Sequence, residues 1–312
     1  MKVITDISAF KTNRPAIATI GFFDGFHLGH AFLIEQLKAK AKKYDLSPIV
    51  LTFDQHPRVV LDPNYQPKML SSLEERLSLL EQAGVEHCVV LSFTKELAKL
   101  SSYDFMQQVL LEKLGVKALT IGYDHRFGSD RENGFEQYVK NGQALGMKVY
   151  QEPPFIYDQQ IISSSLIRKE IEQGTVSLAN LYLDKPYSFQ GKVIHGDKLG
   201  RDLGYPTANL QIEAQKLIPA IGIYAVLVKY QEKTYQAMLS IGKRPSVKTT
   251  DGSIRVEVHL FDFKGEIYGE DLKVYFIAWM REELKFKNLD LLVEQLDKDK
   301  IKAQKLLKNI SI

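Results

Sequence analysis

The stretch GFFDGFHLGH, residues 21–30, decides the fold of the first part of this chain. It follows an apolar run, Ala16–Ile20, that is typical of a strand buried inside a parallel sheet. It precedes residues 31–44, where apolar residues recur at helical spacing. The stretch is therefore predicted to be a turn between a strand and a helix.

This turn has the features of an anion-binding site. Unpaired backbone N–H groups and the positive end of the helix dipole favour a phosphate, and Gly21, Gly25 and Gly29 let a ligand approach the backbone. His27 and His30 lie three residues apart, so both imidazoles can face one side and donate to phosphate oxygens. The alternatives are a structural histidine pair, or a metal pair that lacks a nearby Cys or third His to complete a zinc set. Phosphate binding is favoured over both.

Composition places the chain among ordinary two-domain proteins. It has 312 residues, of which 45% are hydrophobic and 25% charged, and its net charge of +3 does not call for a nucleic-acid or membrane partner. Cys88 is the only cysteine, which excludes an internal disulfide and fits a reducing compartment. The start has no signal-peptide pattern, and no apolar run approaches about 20 residues. We expect a cytoplasmic protein with small-molecule substrates, either a monomer or a weak homo-oligomer.

The first part of the chain alternates strand-like and helix-like segments from Pro15 to about Tyr182. Five such pairs in succession predict a parallel sheet covered by helices on both faces, a Rossmann-like architecture. The predicted strands are 16–20, 48–53, 87–93, 117–122 and 147–152, and the predicted helices are 29–44, 73–83, 101–114, 133–146 and 165–173.

Polar clusters follow the predicted strands at residues 52–58 and 122–128, and a third cluster opens the last predicted helix at residues 163–168. Ligands of such sheets bind beyond the carboxyl ends of the strands, so the clusters are expected to converge on one crevice. Ser164 and Ser165 can cap the helix, and capping is compatible with binding one pyrophosphate together with Arg168.

The second part of the chain shows a different period. After a predicted boundary at residues 184–187, apolar and polar residues alternate in short runs at 187–195, 221–231, 233–241, 254–263 and 271–279. Strands without intervening helices predict an antiparallel sheet closed as a small barrel, and residues 289–309 predict an amphipathic helix packed on it. The predicted fold class is α/β, with a Rossmann-like domain at 1–183 and a β-barrel domain at 184–312.

A Gly-rich segment, residues 191–210, lies within the predicted barrel and ends in Pro206-Thr207-Ala208-Asn209. Glycines and charges are also typical of a mobile loop. Thr207 and Asn209 are two residues apart, however, so in an extended segment both project to the same side. A hydroxyl and an amide oxygen there can meet a Mg²⁺ ion that also holds ATP phosphates.

The His-x-Gly-His spacing resembles the nucleotidylyltransferase superfamily, and the whole chain resembles the bacterial bifunctional riboflavin kinase/FMN adenylyltransferases, or FAD synthetases. The resemblance implies that His27 and His30 act at the transferred phosphoryl group and that Ser164, Ser165 and Arg168 bind ATP phosphates. It also implies binding roles for further residues of the first domain: Gly21, Phe23, Asp24, Gly25 and Asp124. The sequence departs from the family where Ser165 replaces the usual Thr and His125 the usual Phe.

The segment 191–210 resembles the riboflavin kinase signature. By this resemblance Thr207 and Asn209 serve the metal and the nucleotide, and the stretch that contains Gly200 and Arg201 closes over the phosphates. Glu257 lies in a Glu-x-His strand and would be the general base, although polar residues also occur at every second position of any half-buried strand. Arg281 resembles a flavin-side position of the family, although a surface salt bridge explains it equally well. The sequence departs from the family at Ser246 and Val247, where the family usually has Thr-Phe.

The resemblance implies two ATP-dependent reactions with Mg²⁺: riboflavin is phosphorylated to FMN, and FMN is adenylylated to FAD with release of pyrophosphate. Three alternatives stay open at this point. One of the two sites can be inactive, the first domain can act on another phosphorylated substrate, or the chain can be a regulatory protein that binds flavin and nucleotide without turnover.

Overall fold

The computed structural model describes residues 1–10, 12–62, 64–196, 199–243 and 254–312, without the side chains of Ala9, Arg131, Leu199 and Asp202. Contacts between residues divide the chain into two compact units, Met1–Ser163 and Ser164–Ile312. Among the helices of these ranges, none has the length and apolar character needed to cross a membrane.

The first unit contains a six-stranded parallel sheet with the order β1-β4-β3-β2-β5-β6. The five predicted strands are confirmed, and β1 adds an edge strand that its three-residue length hid from sequence analysis. A two-stranded hairpin, β7 and β8, follows the sheet. The bounds are β1 Lys2–Ile4, β2 Ala16–Ile20, β3 Ser47–Phe53, β4 His87–Leu91, β5 Val116–Gly122, β6 Lys148–Glu152, β7 Ile156–Tyr157 and β8 Gln160–Ile161.

Helices cover both faces of this sheet because its central strands are apolar on both sides. Ile17 of β2 packs in a core with Leu33 and Leu37, whereas its neighbour Ala18 packs in a second core with Phe105 and Tyr138 on the opposite face. The helices are α1 Leu28–Tyr44, α2 Pro57–Leu61, α3 Leu73–Gln82, α4 Lys95–Lys99, α5 Ser102–Asp104, which continues as a π-type helix over Phe105–Lys113, and α6 Gly134–Ala144.

Strand β2 is the point at which the strand order of the sheet reverses. Its neighbours β3 and β5 lead to opposite edges, so the turn after β2 opens onto the crevice where parallel α/β sheets bind ligands. Cys88 is buried inside β4 as predicted, and burial raises the pKa of its thiol to about 12.

The second unit is built around a closed six-stranded antiparallel barrel with the order β10-β13-β12-β11-β14-β9. The predicted barrel is confirmed. Its sixth strand, β10, lies in the segment that the sequence marked only as extended. The bounds are β9 Ser188–Ile194, β10 Ala208–Ile212, β11 Gly222–Tyr230, β12 Lys233–Lys243, β13 Ile254–Leu260 and β14 Asp271–Arg281, with a short helix α9 Leu199–Asp202 between β9 and β10.

Two helices that precede the barrel in sequence, α7 Ser164–Glu172 and α8 Val176–Leu183, belong to the second unit by their contacts. Asn180 of α8 accepts a hydrogen bond from the backbone N–H of Tyr187 at 2.7 Å and donates one to the carbonyl of Phe276 at 2.8 Å. The Asn180 amide thus links α8 to Tyr187, the residue directly before β9, and to strand β14. The domain boundary at 183/184 that the sequence suggests stays a prediction.

Helix α10, Leu289–Leu307, packs on the barrel, which confirms the predicted C-terminal helix. Its N-terminus is capped by the side chain of Asn288, which accepts from the N–H of Leu291 at 3.0 Å. Ala303 and Leu307 are fully buried and join the barrel residues Met238 and Met280 in one hydrophobic cluster.

Candidate functional site

The first candidate site is the turn between β2 and α1, where the structure brings His27 and His30 together. His27 is the N-cap of α1, and its Nδ1 accepts from the N–H of His30 at 3.4 Å. The two imidazole rings stack with centroids 3.7 Å apart, as their spacing predicts. His27 is buried and His30 half-buried, so two positionable N–H donors lie at the positive end of a 17-residue helix.

Contacts within the turn itself require glycine at two of its three positions, while the predicted close approach of a ligand stays a prediction. A Cβ on Gly21 would lie 2.9 Å from the ring of Phe23, and a Cβ on Gly29 would lie 3.1 Å from the ring of His27. These two glycines therefore make room for rings of the turn itself. Gly25 has a φ of 79°, a conformation that glycine adopts without steric cost. Phe23 is fully buried and meets His30 edge-on, with centroids 5.1 Å apart.

Asp24 is buried, and its carboxylate is engaged by the protein itself. It accepts from the N–H groups of Leu70 and Ser71 at 3.0 and 2.9 Å and from the hydroxyl of Ser71 at 3.1 Å. The Ser71 hydroxyl also accepts from the N–H of Gly25 at 2.9 Å. These contacts show that Asp24 fixes the turn against residues 70–71, while its predicted binding role stays a prediction.

Arg76 of α3 is a residue that the sequence analysis missed. Its guanidinium is buried and donates to the carbonyls of Phe22 and Phe53, at 2.8 and 2.9 Å, and to the hydroxyl of Thr52 at 2.9 Å. It also lies 4.0 Å from the centroid of the Phe22 ring. Burial lowers the pKa of Arg76 to about 10, so the group remains a cation at neutral pH. Arg76 thereby joins the ends of β2 and β3.

The predicted clusters of the first unit lie beyond the carboxyl ends of β2, β3 and β5, on one edge of the sheet. The rings of Phe22 and His56 are 5.0 Å apart, which brings the turn after β2 into contact with the cluster at residues 52–58. Asp124 is exposed in the loop after β5. The neighbouring Tyr123 has a raised pKa, mainly because its hydroxyl is partly buried and to a smaller degree because the Asp124 carboxylate is close. Burial lowers the pKa of His125 to about 4, so this side chain is neutral near pH 7.

Ser164, Ser165 and Arg168 lie in the first turns of α7. Ser164 and Arg168 are half-buried, one helical turn apart, and Ser165 is exposed. All three belong to the second unit, and their predicted action together with His27 and His30 stays a prediction.

The second candidate site is a cavity of about 410 Å³ in the barrel unit, a size typical of small-molecule sites. Glu257 of β13 lines it and stands directly opposite Asn209 of β10 in the strand register. Opposed residues of this kind have Cβ atoms about 5 Å apart. The structure therefore brings together the predicted general base and one predicted metal ligand.

Thr207 and Gly200 also line this cavity. The Thr207 hydroxyl lies 3.6 Å from the position of a Cβ on Gly200, and such a Cβ would collide with the carbonyl of Tyr205. A Cβ on Gly196 would likewise collide with the amide of Asn209, so glycine at both positions lets the backbone pass close to Thr207 and Asn209. Arg201 is exposed and lies at 3.5 Å from Glu266.

Two arginines line the same cavity, and sequence analysis had considered one of them. Arg281 forms a bidentate pair with the buried carboxylate of Asp299 on α10, with Nε 3.0 Å from both carboxylate oxygens. Arg255, which the sequence analysis missed, donates from Nε to Asn209 Oδ1 at 3.0 Å and lies 3.1 Å from Glu257 Oε1. Its position two residues before Glu257 on a half-buried strand was the available signal.

His259 completes the Glu-x-His strand at the cavity. Its Nδ1 is 2.7 Å from the carbonyl of Pro206, and burial lowers the pKa of the imidazole despite this hydrogen bond. His259 thus ties β13 to the residue before Thr207. Ser246 and Val247 lie outside the described residues, and within the described ranges no three His, Cys, Asp or Glu side chains form a metal-binding group.

The fold and the two candidate sites define a class of protein: a Rossmann-like unit with a histidine pair at the turn between its strand β2 and helix α1, followed by a closed six-stranded barrel with a cavity. A family model for FAD synthetase matches residues 9–166, and a family model for riboflavin kinase matches residues 183–307. The chain belongs to the family of bifunctional riboflavin kinase/FMN adenylyltransferases, as the resemblance predicted.

Relatives support this assignment along nearly the whole chain. The bifunctional riboflavin kinase/FMN adenylyltransferase of Haemophilus influenzae is 38% identical, over 94% of each chain. The proteins of the same name from Listeria monocytogenes and Escherichia coli K12 are 37% and 34% identical, over 92% and 97% of this chain and 91% and 97% of theirs. A crystal structure from Streptococcus pneumoniae, titled as a macrolide-efflux protein, is 34% identical, covers 99% of each chain and has a TM-score of 0.87.

Proposed function

We propose that this chain catalyses both reactions that name its family: ATP-dependent phosphorylation of riboflavin to FMN, and adenylylation of FMN to FAD. The observation that carries the proposal is the register of the barrel, which sets Glu257 opposite Asn209 at the wall of a cavity of about 410 Å³. A binding protein without turnover has no need of a carboxylate at that place.

The kinase reaction belongs to the barrel. Glu257 takes the proton of the riboflavin 5′-hydroxyl, a bond forms between that oxygen and the γ-phosphorus, and the bond from the γ-phosphorus to the bridging oxygen breaks, releasing ADP. Thr207 and Asn209 would hold Mg²⁺, since both offer neutral oxygen ligands. The ion, when bound, neutralises charge on the ATP phosphates. Arg201 and the backbone at Gly200, both in the Gly-rich segment 191–210, bind the ATP phosphates.

The adenylyl transfer belongs to the Rossmann-like unit. A phosphate oxygen of FMN attacks the α-phosphorus of a second ATP, and pyrophosphate leaves without a covalent protein intermediate. His27 and His30 donate to the transferred group, where negative charge develops, and the α1 N-terminus adds its dipole. The leaving pyrophosphate is held by Ser164, Ser165 and Arg168. Asp124, which is exposed after β5, contacts the flavin or the nucleotide in this site. Arg281 contacts the flavin in the kinase site of the barrel.

The proposal extends to the setting of the enzyme. Its substrates are ATP, riboflavin and FMN, and neither a nucleic acid nor a membrane takes part. The protein acts as a cytoplasmic monomer or weak homo-oligomer.

The test is chromatographic analysis of the flavins formed when the purified protein is incubated with riboflavin, ATP and Mg²⁺. FMN followed by FAD is the expected result. His30→Ala should abolish FAD formation and spare FMN formation, whereas Glu257→Gln should reduce FMN formation to a slow residual rate and still convert supplied FMN to FAD. Bound flavin with no product from either substrate would refute the proposal. Equal loss of both activities in either folded variant would refute the division of labour.

A further inference from the structure

Arg255 lies between the two groups that the kinase reaction depends on. Its Nε donates to Oδ1 of Asn209 at 3.0 Å and lies 3.1 Å from Oε1 of Glu257. The Nε atom therefore contacts both the amide on β10, by a hydrogen bond, and the carboxylate on β13, by an ion pair. Both contacts are partly shielded from water, since the side chains of Arg255 and Glu257 are 23% and 27% exposed.

The arrangement follows from the barrel. Arg255 and Glu257 are alternate residues of β13 and project from the same face, and Asn209 stands opposite Glu257 on the neighbouring strand. Register alone fixes only the Cα positions of Glu257 and Asn209. A glutamate has three side-chain torsions, so a further contact is needed to hold its carboxylate in one place.

We propose that Arg255 is a positioning residue of the kinase half, which holds the Glu257 carboxylate and the Asn209 amide as one hydrogen-bonded group. The inference rests on the proposed kinase function. Fixing Oε1 of Glu257 to Arg255 leaves Oε2 to receive the proton of the riboflavin hydroxyl. Fixing Asn209 at the same time sets the nucleotide side of the reaction at a constant distance from the base, which is what an in-line transfer requires.

The test compares Arg255→Leu with wild type and with Lys229→Leu, which removes a positive charge from an exposed position on strand β11. We expect kcat for FMN formation to fall about tenfold to a hundredfold in Arg255→Leu, the loss typical of one hydrogen bond to a charged group. The dissociation constant of riboflavin, measured by flavin fluorescence without ATP, should stay within threefold, and so should FAD formation from FMN. Lys229→Leu should match wild type.

A double-mutant cycle separates positioning from any independent effect. In a Glu257→Gln background, adding Arg255→Leu should slow single-turnover FMN formation by a clearly smaller factor than in wild type, since the carboxylate that Arg255 holds is already gone and only the Asn209 contact remains to be lost. An equal loss in both backgrounds would overturn the proposal, and so would an unchanged kcat in Arg255→Leu. Arg255→Gln provides a second variant if Arg255→Leu does not fold. If wild type forms no FMN, the proposed function itself has failed, which is a different result.

Discussion

Replacing the buried Arg76 by Met should weaken the first unit and slow FAD formation while leaving the barrel reaction intact. Methionine keeps an unbranched stem in the same space but removes the guanidinium. The carbonyls of Phe22 and Phe53 and the hydroxyl of Thr52 each lose a donor. Because Phe22 belongs to the turn that carries His27 and His30, the two rings should lose their fixed position over the crevice.

The magnitude follows from two opposing terms. Three hydrogen bonds from a charged donor contribute about 4.5 to 9 kcal/mol in total, taking about 1.5 to 3 for each. Against this, burial lowers the pKa of Arg76 from 12.5 to about 10, which means that the cation costs about 3 kcal/mol that the variant recovers. The net loss in the free energy of unfolding is about 1 to 6 kcal/mol, and the hydroxyl of Thr52 limits it by still donating to the Phe22 carbonyl at 3.3 Å.

Hydrogen exchange read by mass spectrometry measures this loss segment by segment, because it reports the opening of β2 and β3 separately from the barrel. The matched control is Arg14→Met, which removes an exposed arginine of the same unit from its ion pair with Asp45 and should change stability by less than about 1 kcal/mol. Unchanged protection of β2 and β3 in Arg76→Met would refute the reasoning. So would equal losses of the riboflavin kinase and FMN adenylyltransferase rates.

Three further changes have defined outcomes. Asp24→Asn should lower the free energy of unfolding of the first unit by about 1 to 3 kcal/mol. The new amide nitrogen cannot accept a hydrogen bond, so the N–H of either Leu70 or Ser71 loses its acceptor. An unchanged free energy of unfolding would show that these two hydrogen bonds contribute little. The pKa of His125 is about 4 in the folded chain against 6.5 unfolded, so wild type should lose about 2 kcal/mol relative to His125→Phe between pH 7 and pH 4.5; parallel urea curves would contradict this. Asp299→Asn should destabilise the barrel unit by about 3 kcal/mol, because it leaves the Arg281 guanidinium without its carboxylate. The single tryptophan lies in that unit, so its fluorescence should change at a lower urea concentration in the variant than in wild type.

Sequence reasoning reached the fold because each element carries its own periodicity. The five strand and helix pairs and most of the barrel strands were predicted. Strand β1 was missed because it has only three residues, and β10, although its five residues alternate, was not separated from the Gly-rich segment that leads into it. No local pattern in the sequence could reveal that α8 packs with the barrel strand β14 or that α7 packs with α8.

The candidate sites were predictable where the chemistry is local. His27 and His30 are three residues apart on one helix start, and Thr207 and Asn209 are two apart in an extended segment. The resemblance to a known family supplied the two activities, and the family assignment is confirmed.

The contacts that hold those side chains could not be predicted in the same way. Arg76 meets the carbonyl of Phe22 across 54 positions of sequence, and Asp24 meets Ser71 across 47. Arg255 was within reach of sequence reasoning, because it shares a strand face with Glu257, but its bond to Asn209 crosses 46 positions.

The bonds of Asn180 decide where the chain can be cut for recombinant work. A fragment that starts at Asp184 would match the riboflavin kinase family limits closely, yet it would lack the amide that serves Tyr187 and Phe276. It would also lose the hydroxyl of Ser177, which donates to the carbonyl of Ile277 at 3.2 Å. The part of strand β14 that α8 normally covers would then be exposed to solvent, and exposed apolar surface promotes aggregation. A cloning boundary at Ser164 keeps both helices and is the better choice.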